Sequence, residues 1–228
     1  MTVTTSTLTR AGAAAAMVAG ALFIGVQIGH PHLDVTSVST TEVVVRNVLK
    51  IVMAVLALAG ISGLYLSQVR RNGLLGLVGY LVLSLGYLMV MAATYVAAFV
   101  LPSVAATDPS YVTNVIAAVL GDGGSGDIGA LGVVLQVQAA AWLGGGLLLG
   151  VALYRAGVLA RWGAALLAVG GVITALLSVM PDAFYRLLAF PNGIAMIALG
   201  WSLWRWAAGA AVARAGVATA VPVQEGAR

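Results

Sequence analysis

Ser39-Thr-Thr-Glu-Val-Val-Val-Arg-Asn-Val-Leu-Lys50, followed by Ile51-Val-Met-Ala-Val-Leu-Ala-Leu-Ala-Gly-Ile-Ser-Gly-Leu-Tyr-Leu-Ser-Gln-Val-Arg70-Arg71, is the stretch that decides how this chain is built. Its second half is an uninterrupted apolar run closed by two arginines, which is what a membrane-crossing helix needs. Its first half carries Glu42, Arg46, Asn47 and Lys50, and Lys50 is the single lysine of the protein. Glu42, Arg46 and Lys50 recur every four residues and so share one helical face, with the acid-first order that favours a Glu42–Arg46 ion pair. Ser39-x-x-Glu42 has the form of a capping box, which predicts a helix start at that point.

The rest of the chain repeats the apolar theme. Of 228 residues, 61% are hydrophobic and 8% charged, against about a quarter charged in water-soluble domains. The expected fold is all-α: a single transmembrane domain, a six-helix polytopic bundle with spans at about 11–29, 47–69, 73–101, 128–154, 162–180 and 183–203. The first run is long and no Ala-x-Ala site follows it, which favours a retained span over a cleaved signal. Pro102 is expected to end the third span. In the long connection after it, Asp108-Pro109 reads as a helix start, and Tyr111, Val112, Val115, Ile116 and Val119 recur on one face. That predicts a short amphipathic helix at the membrane surface, tethered by the glycine-rich segment 121–127. Pro191-Asn192-Gly193 is expected to kink the sixth span. Small residues at four-residue spacing, Ala21/Gly25/Gly29 and Gly146/Gly150, predict close helix contacts.

Charge distribution orients these spans. Eight of the eleven basic residues (Arg10, Arg70, Arg71, Arg155, Arg161, Arg205, Arg214 and Arg228) fall on the side that holds both termini. Arg46, Lys50 and Arg186 fall on the other, with six of the seven acids. The positive-inside rule places both termini in the cytoplasm, and Trp162, Trp204 and Trp206 beside the inner arginines fit an aromatic belt. The net charge of +4 therefore reflects topology, and no nucleic-acid partner is expected. Without cysteine, disulfides and thiolate metal sites are excluded.

Counting along helices at about 1.5 Å per residue gives depth. Lys50 lies roughly 30 Å from Arg70, Gln136 and Gln138 about 25–29 Å from Arg155, and Gln27 and Tyr87 about 24–26 Å from Arg10 and Arg71. Asn192 and Trp142 fall near mid-depth. Polar groups in hydrocarbon are costly unless they face one another, water or a ligand, so a polar pocket opening outwards is expected. Tyr80, Ser84, Tyr87, Met91 and Tyr95 form a helical stripe for one wall and Trp142 supplies another. Arg46 and Lys50 would form a charged mouth with Asp182 and Arg186 opposite. Interhelical hydrogen bonds that only fix packing are the alternative.

His30-Pro-His32-Leu-Asp34 offers ligand types acceptable to a metal, but a proline separates the histidines and no second cluster accompanies them, so no metal is expected. No phosphate-binding glycine loop, HExxH or Asp-rich diphosphate motif occurs, and no cofactor is expected.

The segments HPHLDVTSVSTTE and RNVLK, then YLSQVRRNGLLGLVGYLV, ALYRAGVLARWGAALLAVGG and FPNGIAMIALGWSLW resemble a family of small bacterial six-helix integral membrane proteins. In size, helix count and lack of metal motifs the chain is also similar to bacterial membrane-bound terpene cyclases. That resemblance implies proton-initiated, metal-independent cyclisation of an isoprenoid entering from lipid. Asp34 or Glu42 would then be the acid, although pairing with Arg46 favours the Glu42 carboxylate. Gln27, Arg46, Lys50, Tyr80, Tyr87, Tyr95, Gln136, Trp142 and Asn192 would line the substrate site, the aromatic faces stabilising positive charge. Two other classes fit the same residues: a small transporter or lipid-binding module, and a regulatory partner of another membrane protein. The oligomeric state is open.

Overall fold

The computed structural model describes residues 4–121, 126–177, 187 and 189–220. Among them all the regular structure is helical: α1 (Thr5–Gly25), α2 (Thr41–Leu66), α3 (Val69–Phe99), α4 (Leu101–Ala105), α5 (Pro109–Leu120), α6 (Ala130–Ala156), α7 (Arg161–Leu177) and α8 (Ala189–Ala220). Four of these, α1, α2, α3 and α6, are long and apolar enough to cross a membrane. The six long helices close into a ring. α1 packs on α2, α2 on α3, α3 on α6, α6 on α7 and α7 on α8, and α8 returns to α1. Segments 122–125 of the glycine-rich tether, and Asp182 and Arg186 of the expected charged mouth, lie outside the described residues.

Small residues set how near these helices come. A side-chain carbon at Gly79 of α3 would land on the backbone of Leu149, and one at Gly145 of α6 on that of Leu83. The α3–α6 seam therefore needs a bare Cα at both positions. Gly150 meets Ala168 of α7 in the same way, as its spacing predicted. The Ala21/Gly25/Gly29 ridge does not: Ala21 and Gly25 are exposed, and Gly12, Ala13, Ala16, Ala19 and Gly20 are the buried face of α1. The two ridges lie on different sides of one helix, and both are equally small in sequence.

Local starts and stops also differ from expectation in instructive ways. The cap of α2 is Thr40, whose hydroxyl accepts from the Val43 amide. Ser39 instead ends a 3-10 turn over Ser37–Ser39, so no capping box forms and Glu42 is left for Arg46. Asp108 caps α5 as expected, accepting from the Tyr111 amide at 3.0 Å, with Pro109 at the first position. Pro102 does not end α3; the helix stops at Phe99, and Pro102 sits in the first turn of α4, where its missing N–H is harmless. Pro191 lies in the first turn of α8 as described, and most of the expected sixth span before it, 183–186 and 188, lies outside the described residues. A true break occurs at Gly73, whose φ of 56° and ψ of −156° separate the turn Val69–Asn72 from the body of α3.

The seam makes a test. Gly145→Val forces a branched side chain into the Leu83 backbone and is expected to destabilise the bundle by about 3 kcal/mol. Gly144, where an added methyl would meet nothing within 4 Å, is the control. Thermal denaturation of the purified protein in detergent should separate Gly145→Val from Gly144→Val; equal midpoints would disprove the close α3–α6 contact.

Candidate functional site

At the end of the bundle away from Arg70 and Arg71, the chain between α1 and α2 is held by one side chain. Arg46 Nη1 donates to the carbonyls of Val26 at 2.9 Å and Ile28 at 3.0 Å, and Nη2 donates to that of Gly29 at 3.0 Å. These carbonyls belong to the connection immediately after α1, and a cation there also complements the helix dipole. Nε and Nη2 donate to Glu42 Oε1 at 3.1 and 2.9 Å, forming the expected ion pair. Arg46 is thus a clamp joining the ends of α1 and α2, and does not line the pocket.

Beneath the clamp lies a cavity of about 240 Å³. Gln27 of the α1–α2 connection, Asn47 and Lys50 of α2, Thr94 of α3 and Gln138 of α6 bring polar atoms to it. Its remaining wall is apolar, and Val115, Ile116 and Val119 of α5 close it from above. The amphipathic face read from the sequence is therefore turned onto the bundle: Val112 and Val115 are buried with Val38 and Leu101 in a separate cluster at this end. Thr94 spends its hydroxyl on the Val90 carbonyl at 2.7 Å. The three amides differ. Asn47 is only 6% exposed, and neither it, Gln27 nor Gln138 makes a side-chain hydrogen bond to another described residue, with Gln138 Oε1 buried as well. Leaving a buried acceptor such as Gln138 Oε1 unpaired costs about 1–3 kcal/mol.

Lys50 reaches His30. The histidine is buried, its Nδ1 lies 2.9 Å from the Pro31 carbonyl, and its Nε2 lies 3.4 Å from Lys50 Nζ. With Nδ1–H donating to Pro31, Nε2 presents a lone pair to the ammonium. His30 therefore orients Lys50 at the cavity rather than joining His32 and Asp34; no trio of metal-ligating side chains occurs among the described residues.

The other expected site residues scatter. Asp34 is exposed, its Oδ1 accepting from the Thr36 hydroxyl at 2.6 Å, the Thr36 amide at 2.8 Å and the Ser37 amide at 2.7 Å. The Thr36 hydroxyl and the Ser37 amide hold its carboxyl below the usual carboxylate range. This arrangement keeps Asp34 a turn-forming anion, away from the cavity and unsuited to donating a proton. Glu42 is committed to Arg46. Tyr87 is fully buried and meets Trp142 edge-on at 4.9 Å, and Trp142 meets Phe23 at 5.2 Å, an aromatic group bordering the cavity through Phe23. Tyr80 stacks on Tyr65 at 4.9 Å and shares a 3.0 Å hydrogen bond with Ser62, outside the cavity. Tyr95 is 56% exposed and packs on Phe99. Gln136 is exposed on α6. Asn192 is buried against Gly170 of α7.

Helical phase explains this division. At about 100° per residue, Tyr95 lies some 80° round α3 from Tyr87, whereas Thr94 is only about 20° away. Gln136 and Gln138 are about 200° apart, so a single one of them faces inwards. Asn47, three residues before Lys50, shares its face. Thr94 and Asn47 were the residues missed, and spacing from Tyr87 and Lys50 was the signal that pointed to them.

Compared with known proteins, the chain matches no family model, no curated protein and no solved structure. Its class is defined by its own geometry: an all-helical bundle with membrane-length apolar helices and a polar cavity under one end.

Because Arg46 supplies several donors in a fixed fork, Arg46→Lys should not replace it. Arg46→Ala and Arg46→Lys are both expected to cost about 2–4 kcal/mol of stability, with faster amide hydrogen exchange at residues 26–30. Exchange there unchanged in both variants would refute the clamp.

Proposed function

We propose that this chain is a polytopic protein of the bacterial cytoplasmic membrane, crossing it six times with both termini in the cytoplasm, and that it binds an amphiphile with a small anionic head in its outer-leaflet cavity. The orientation rests on arginine placement. Arg10, which lies over Trp204 at 5.5 Å, and Arg70, Arg71, Arg155, Arg161 and Arg205 belong to the end opposite the Arg46 clamp. The closed ring of six long helices supports six crossings over four.

The observation that carries the binding reading is the convergence of three unpaired amides on a cavity beside the only lysine. One ammonium and several amide N–H donors in an apolar wall suit a carboxylate or similar head group. About 240 Å³ is smaller than the roughly 300–1,000 Å³ of drug-sized ligand sites. It accommodates a head group and the first part of a chain, with the rest of the tail lying among lipids. α5 is the element whose displacement would admit it.

Isoprenoid cyclisation started by a proton, implied by the resemblance, draws support from the Phe23–Trp142–Tyr87 group. It also requires an acid at the substrate. The described lining supplies amides, a hydroxyl and an ammonium, while Asp34 and Glu42 are committed elsewhere. Binding is therefore placed ahead of catalysis.

The test uses a fluorescent long-chain fatty acid and the purified full-length protein in uncharged detergent. Lys50→Gln should weaken binding about tenfold or more, and Asn47→Leu severalfold. Asp34→Asn and Glu42→Gln should leave it within about twofold. Binding unaffected by Lys50→Gln would sink the anionic-head reading, and isomeric products from prenylated substrates, lost in Asp34→Asn or Glu42→Gln, would restore the cyclase.

A further inference from the structure

A second cavity lies at the arginine end, where the turn between α2 and α3 meets the α6–α7 connection and α8. It is larger, about 660 Å³, and open, and Gln68, Arg70, Arg71, Val158 and Trp206 are among its walls. Its polar and apolar parts are arranged as a lipid–water boundary requires: Leu66 and Trp206 are exposed apolar surface beside the two arginines. The break at Gly73 places Arg70 and Arg71 together in one isolated turn, Val69–Asn72. Both are exposed and neither is in an ion pair among the described residues. All four described acids, Asp34, Glu42, Asp108 and Asp127, belong to the opposite end.

Topology alone explains the arginines but not Gln68. Gln68 is among the residues that line the cavity, is 5% exposed, and has neither its buried amide nitrogen nor its carbonyl oxygen hydrogen-bonded. A buried amide without partners costs stability, and a leucine there would be cheaper if packing were its whole purpose. Ser67 is not a competitor for a ligand, because its hydroxyl donates to the Leu64 carbonyl at 2.8 Å.

We propose that this cavity is a binding site for a phosphate group, held by the guanidinium groups of Arg70 and Arg71 with Gln68 as a further donor and the Trp206 ring on the rim. Two guanidinium forks match the oxygens of a phosphate, which a point charge does not. Basic recesses between membrane helices are where anionic lipid head groups dock, and the exposed Leu66 and Trp206 give acyl chains a path along the bundle. Soluble phosphate compounds share the chemistry of the head group and are separated from it by the test. The site is independent of the outer cavity and of its proposed ligand.

Native mass spectrometry of the full-length protein in uncharged detergent reads the site directly. Phosphatidylglycerol, diacylglycerol with the same chains, and inorganic phosphate are the probes. A one-to-one phosphatidylglycerol adduct that resists inorganic phosphate assigns the site to lipid, and an adduct displaced by inorganic phosphate assigns it to a soluble phosphate; either supports a phosphate site. Arg70→Gln/Arg71→Gln should reduce the adduct at least about tenfold. Arg155→Gln/Arg161→Gln removes the same charge from the same end without touching the cavity lining and should retain it. Gln68→Leu, which removes an unpaired buried amide, should melt no lower than the parent yet lose adduct severalfold. Equal retention of diacylglycerol, equal loss in the two arginine pairs, or parental retention in Arg70→Gln/Arg71→Gln or Gln68→Leu would overturn the proposal.

Discussion

The end of the bundle away from Arg70 and Arg71 depends on a single guanidinium. Helix α1 stops at Gly25, and the connection that follows presents backbone carbonyls at Val26, Ile28 and Gly29. Arg46 answers three of them at once and is itself neutralised by Glu42, one turn earlier on α2. The chain between α1 and α2 is thereby folded back over the bundle. That fold places Gln27, His30 and Leu33 above α2 and gives the cavity its rim. An arginine at this position joins α2 to the connection after α1; a hydrophobic residue would leave the Val26, Ile28 and Gly29 carbonyls without that donor.

The cavity exists because neighbouring helices are held close elsewhere. Bare glycines bring α3 and α6 into backbone contact at Gly79 and Gly145, and Gly86 lies close to the Trp142 backbone further along the same seam. Trp142, Tyr87 and Phe23 pack together there, and the cavity with its amides borders Phe23. α5 then covers the opening with the apolar face of a helix too short to span a membrane. The two ends of the bundle are thus chemically distinct. One offers a smaller recess with one ammonium and several amides, the other a larger recess with two guanidiniums.

Much of this was legible from composition and spacing. The apolar runs announced membrane-length helices, Asp108-Pro109 announced α5, and the four-residue spacing of Glu42 and Arg46 announced their ion pair. The depth count brought Gln27, Lys50 and Gln138 to one level, and they do meet. The same count brought Gln136 to that level, yet it faces outwards. Depth measures position along a helix, and says nothing of rotation about it. Asp34 failed for a different reason: an acid two residues before Thr36 is well suited to a local turn, and that local competition keeps it from any long-range role.

The sequence by itself determined the class of protein, the segregation of arginines from acids along its length and the supply of polar groups near one end. Those follow from hydropathy and residue type, which act locally and need no partner. The tertiary structure alone decided which small face of α1 is buried, which glutamine of α6 turns inwards, that Arg46 clamps carbonyls twenty residues back, and that Gln68 stays unpaired behind Arg70 and Arg71. Each is a question of helical phase and neighbour, settled only when six helices pack into one ring.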